Sequence, residues 1–175
     1  MAQQPLTLDE LNKMNPEKTY NVPAPGYNPK AWDSISLPIT LPKPIKLTFD
    51  DNIRKSMGTS VKYKKGIYMF CIEPDFPFQP EVRYIMYIGR VIKENTFFKR
   101  FYDYVKAIGD PNKRRNIQLL TNLWNGKMFV YYYDLSQYSD DIISNIETQL
   151  IGRIIPPMNN ELYLKEAQNT RSLYN

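Results

Sequence analysis

The sequence predicts an α+β fold: a small three-stranded, mostly antiparallel sheet flanked by helices, behind an N-terminal proline-rich extension. Three observations predict it. Apolar residues cluster in short strand-like runs at 66–72, 83–88 and 127–135. They recur at helical spacing over 96–108, 114–124 and 140–154, giving the order β-β-α-α-β-α-α. Residues 21–44 hold six prolines, which no helix tolerates.

In chain order, Leu8 to Met14 read as a short helix capped near Thr7. Ile35, Leu37, Ile39 and Leu41 alternate with polar residues and Pro38, which suits an edge strand or an extended arm. A second short helix is expected over 50–57, stopped by Gly58. These segments form an N-terminal arm, residues 1–57, followed by a compact domain, residues 58–175. In that domain GIYMFCI is a strand, a proline-rich loop spans 73–80, and RYIMYI is its hairpin partner. The helix over 96–108 ends at Gly109 and Pro111. The helix over 114–124 puts Ile117, Leu120 and Trp124 on one face, and KMFVYYYDL is the third strand. Ser139 caps the next helix, with Asp140 and Asp141 in its first turn, where the helix dipole favours acids. Asn159-Asn160 open a last short helix to about residue 170.

Composition narrows the chemistry. The 175 residues are 42% apolar, enough for a real core. No apolar run approaches the ~20 residues a membrane helix needs, and the N-terminus has no signal-peptide pattern. The lone Cys71 excludes an internal disulfide and suits a reducing, cytoplasmic setting. With no histidine, Ser-His and Cys-His catalysis and His-ligated zinc are excluded. Acid–base work falls to Tyr, Lys or carboxylates, and any metal ligand is mainly carboxylate oxygen, which fits a hard ion. Net charge is +5, yet residues 83–115 alone hold nine Lys and Arg against three acids, interleaved with aromatics. Two readings fit that window: a nucleic-acid surface or a solvated basic helix face.

Single residues add detail. Glu147 falls inside the apolar arc of Ile143, Ile146, Leu150, Ile151 and Ile154. Either it is buried with a cation or it reaches solvent at the edge of a broad stripe. Arg100 and Tyr104 are neighbours at i and i+4. An Arg fork beside a phenol suits phosphate oxygens, and an Arg stem packed on a Tyr ring is the plain alternative. Gly89 before Arg90 permits close approach or makes a turn. Lys113, Arg114 and Arg115 are a phosphate patch or an exposed helix start. Nucleotide-binding glycine motifs, EF-hands and cysteine-rich metal motifs are absent.

Taken in order, these residues resemble the GIY-YIG nuclease family. Gly66-Ile67-Tyr68 and Tyr87-Ile88-Gly89 match its two motifs, and Arg100, Tyr104, Glu147 and Asn159 fall in its order over residues 61–165. Arg90 stands where the family more often has Lys. Eighteen residues separate the two motifs, a longer connection than is usual, and the arm has no counterpart in the minimal domain. The resemblance implies a stand-alone, restriction-type endonuclease that hydrolyses DNA phosphodiester bonds with one Mg²⁺ or Mn²⁺ ion. Tyr68 would activate the water and Tyr87 orient it. Arg90 would supply a positive field, Arg100 and Tyr104 would hold the phosphate, Glu147 would be the sole metal carboxylate, and Asn159 would keep the geometry. Double-stranded DNA would lie on Arg90, Lys93, Lys99, Arg100, Lys113, Arg114 and Arg115. The arm would wrap DNA or join two copies. The alternative is a catalytically inactive nucleic-acid-binding or protein-interaction domain that retains the fold.

Overall fold

Four strands, not three, form the sheet. The computed structural model describes residues 6–14, 36–73, 83–110, 112–124, 126–162 and 165–172. The strands are Ile45–Thr48 (β1), Gly66–Ile72 (β2), Tyr84–Val91 (β3) and Met128–Asp134 (β4), antiparallel throughout in the order β1-β4-β2-β3. The strand missed by the sequence reading is β1. It has four residues and follows Pro44, so its alternation is too brief to stand out. The longer alternation at Leu37, Ile39 and Leu41 belongs to no strand; these side chains pack against the core instead. Ile35, the rest of the proline-rich stretch at 15–35, and the loop at 74–82 lie outside the described residues.

The helices are Leu8–Met14 (α1), Ile53–Ser56 (α2), Thr59–Lys62 (α3), Phe97–Val105 (α4), Arg115–Asn122 (α5), Asp140–Ile154 (α6) and Lys165–Ser172 (α7). Their starts follow from local chemistry. Thr7 and Glu10 bond each other's backbone N–H groups in a capping box. Thr96 accepts from the Lys99 N–H and Ser139 from the Ile142 N–H. The last helix opens at Lys165 rather than at Asn159, because residues 156–159 are engaged elsewhere.

Alternate strand residues face opposite sides of the sheet, and both sides are covered. Tyr68 and Phe70 of β2 pack with Phe97 and Phe101 of α4 and Leu119 and Leu120 of α5. Ile67, Met69 and Cys71 point to the other face and pack against Ile143, Ile146 and Leu150 of α6. The strand β3 lies at an edge, so its outer backbone groups need partners. They find them in the segment after α6. Ile155 ends that helix in a left-handed conformation, φ 53°, a cost that its complete burial offsets. The chain then runs beside β3. The Met158 N–H donates to the Met86 carbonyl at 2.9 Å. The Asn159 amide pairs with both backbone groups of Ile88, accepting from its N–H at 2.9 Å and donating to its carbonyl at 2.8 Å.

Among the described residues no helix is long and apolar enough to cross a membrane.

Candidate functional site

Tyr68 sits at the centre of the site and is wholly buried. Its ring meets Phe97, Phe101 and Tyr104 edge-on, with centroids 5.5–6.2 Å apart. Its hydroxyl shares a hydrogen bond of 3.0 Å with that of Tyr104. Gly89 lies opposite Tyr68 across the strand pair. A β-carbon on Gly89 would overlap the Tyr68 hydroxyl and sit 2.5 Å from its Cζ. The glycine of the second motif therefore makes room for the tyrosine of the first. Gly66 has a different reason. Its φ is +150°, and a β-carbon there would lie 2.9 Å from the Leu135 nitrogen.

A pocket of about 270 Å³ opens beside this cluster, lined by Tyr87, Arg100, Asp103, Tyr104, Lys106, Lys113, Arg114 and Ile117. A β-bulge positions Tyr87. Phe70 faces Tyr87 and Cys71 faces Ile85, which leaves Met86 as the extra residue and turns Tyr87 to the Tyr68 side of the sheet. Arg100, Asp103 and Tyr104 come from one turn of α4. Lys113 and Arg114 come from the start of α5. Four cations and one carboxylate line the pocket, and Lys113 is also ion-paired with Asp110 at 3.6 Å, which leaves the pocket with net positive charge. The Arg100 Nε is buried without a hydrogen-bond partner among the described residues. A buried donor without a partner is costly.

The sequence candidates thus separate into groups. Tyr68, Tyr87, Arg100 and Tyr104 come together, with Lys113 and Arg114 on the pocket wall. Arg90 pairs with Ile67 and so belongs to the α6 side, where its guanidinium forms an ion pair with Glu147. Asn159 is buried on the β3 edge. Lys99 is exposed on α4, Arg115 on α5, and Lys93 in the turn after β3, its N–H donating to Asp140 at 3.1 Å. Arg90 is also inside β3 rather than after it, because the strand runs through YIG to Val91. Asp103 and Lys106 were not singled out from the sequence. Their spacing from Arg100, three and six residues on along one helix, is the signal that could have found them.

The expected metal-dependent endonuclease is corrected here, together with its Mg²⁺ or Mn²⁺ cofactor. Among the described residues no group of three or more His, Cys, Asp or Glu could hold a metal ion. Glu147, the one expected carboxylate, is buried and its oxygen is engaged by Arg90. Burial raises its pKa above the usual carboxylate range; the charges of Arg90 and Arg100 pull it down, and Glu161 pushes it up. Tyr68 is equally ill suited to be a base. Burial raises its phenol far above the usual value, Tyr87 adds to this, and Arg100 offsets only part, so the proton stays on. Burial likewise holds the Tyr104 proton in place.

No protein-family model, curated protein or solved structure matches the chain, so no comparison supports a nuclease or other enzymatic assignment.

Proposed function

We propose that the protein is a nucleic-acid-binding domain that keeps a GIY-YIG-like arrangement of side chains and binds the phosphate backbone of duplex DNA without a divalent metal. The observation that carries this reading is the pocket beside Tyr104: Arg100, Lys106, Lys113 and Arg114 face a single acid, Asp103. A guanidinium flanked by further cations on the pocket wall suits the charge of phosphate oxygens. Tyr87 and Tyr104 provide polar, rigid walls. The neutral Tyr68–Tyr104 pair and the Arg90–Glu147 ion pair support the framework rather than bond cleavage. On this reading the protein works in the cytoplasm, in keeping with a single cysteine that can form no internal disulfide.

The test is duplex DNA binding measured across a salt series in EDTA. Affinity should fall linearly with salt on logarithmic axes, with a slope shallower by about 2 in Lys113→Met/Arg114→Met. Plasmid incubated with Mg²⁺ or Mn²⁺ should stay supercoiled. Metal-dependent nicking, or binding with no salt dependence, would overturn the reading.

A further inference from the structure

Leading away from the pocket, six side chains of α2, α3, α4 and their flanks alternate between ring and cation. The order in space is Tyr63, Lys62, Phe98, Arg54, Tyr102, Lys106. The Lys62 ammonium lies 5.8 Å from the Tyr63 ring centroid and 4.5 Å from that of Phe98. The Arg54 guanidinium lies 3.9 Å from the Phe98 centroid and 4.1 Å from that of Tyr102. Lys106 lies 4.1 Å from Tyr102, and it also lines the pocket. The row therefore runs without a break from Tyr63, which is 74% exposed, to the pocket mouth.

Two features separate this row from ordinary packing of long side chains on rings. Its three cations make no ion pair among the described residues. Exposed Lys55 and Lys99 follow Arg54 and Phe98 in sequence, adding positive charge on the same helices. Packing alone would be served by uncharged chains of the same length, with less mutual repulsion. Contact with rings holds each cation in place while leaving its charge unneutralised. Such a line of fixed, unpaired cations complements a line of phosphates.

We propose that this row is a backbone track: the DNA strand whose phosphate enters the pocket continues along Lys106, Arg54 and Lys62. The track rests on the nucleic-acid reading of the pocket and extends its footprint to α2 and α3. Arg54→Met/Lys62→Met keeps the bulk between the rings and removes two charges, both away from the pocket wall. Duplex DNA titrated in EDTA across salt should then show a slope shallower by about 2, with wild-type thermal melting. An unchanged slope in the folded double variant overturns the track. If Lys113→Met/Arg114→Met alone flattens the slope, the track fails and the pocket reading stands; if neither pair does, both fail. Should the double variant not fold, the single charge reversal Lys62→Glu replaces it: a shallower slope supports the track, and an unchanged one overturns it.

Discussion

Tyr68 and Gly89 are one unit, and each explains the other. Gly89→Ala forces a methyl group into the Tyr68 ring, which is held edge-on by Phe97 and Phe101. Overpacking of this kind costs about 1–3 kcal/mol, measurable by denaturant unfolding. Tyr68→Phe removes one of the two hydroxyl partners of the buried Tyr104, the other being Tyr87, and should cost about 1 kcal/mol. Tyr68→Phe/Tyr104→Phe should cost less than the two single variants added together, since each single variant already removes the hydrogen bond they share. Strict additivity would show that the hydroxyls do not interact.

Glu147 makes a prediction whose sign is fixed by its environment. Its folded pKa is raised above the ordinary 4.5, so the unfolded chain releases this proton first. Over the window starting near that value and extending above it, the folded state binds more protons, and the contribution of Glu147 to stability falls as pH rises. Asp134 is shifted the other way: burial alone would raise it, but hydrogen bonds from Ser136 and Lys64 prevail. Its contribution is lost as pH falls below the usual range. Subtracting wild type from Glu147→Gln cancels Asp134, so the difference in melting temperature should grow in favour of Gln from about pH 4 to 7. A flat or shrinking difference would contradict the burial of this carboxylate.

At the scale of elements, Asn159 stands in for a missing strand. It gives Ile88 both hydrogen bonds that a neighbour beyond β3 would have given. Asn159→Ala leaves two backbone groups stranded and should cost about 2 kcal/mol or more. Asn159→Asp keeps the bond from the Ile88 N–H and loses the donor, so it should fall between. Equal losses for Ala and Asp would mean that the amide does not pair with β3. These elements also show what was legible in the sequence. The strands β2 and β4 and the helix α6 could be read because each carries seven or more residues of one period, and α6 also carries its Ser139 cap. The strand β1 could not, because four residues after a proline give one period and a half. Leu37, Ile39 and Leu41 misled for the opposite reason: their alternation is real, but it serves packing on a sheet face rather than pairing at an edge.

At the scale of the whole molecule, the basic excess seen over residues 83–115 divides between the pocket and ion pairs away from it. Arg100, Lys106, Lys113 and Arg114 line the pocket, Lys106 also ends the row begun by Lys62 and Arg54, and Arg83 and Arg90 are paired with Glu73 and Glu147 away from both. The sequence named Arg100, Tyr104, Lys113 and Arg114 because helical spacing and charge clustering are local properties. It could not reveal that Arg90 neutralises Glu147, because those residues are 57 positions apart and meet only through the packing of α6 on β3. Nor could it assign Arg54 and Lys62, which lie on the short helices α2 and α3 and acquire their setting only from Phe98 and Tyr102.

The central claim is metal-free binding of DNA through the pocket. Its most direct test is anisotropy of a labelled duplex, titrated with wild type and with Lys113→Glu/Arg114→Glu, in EDTA and again in Mg²⁺. Wild type should bind in EDTA at least as tightly as in Mg²⁺, which competes for the phosphates, and should lose about tenfold or more on charge reversal, as expected when phosphate contacts are removed. Binding that requires Mg²⁺, or that survives the reversal undiminished, would contradict it.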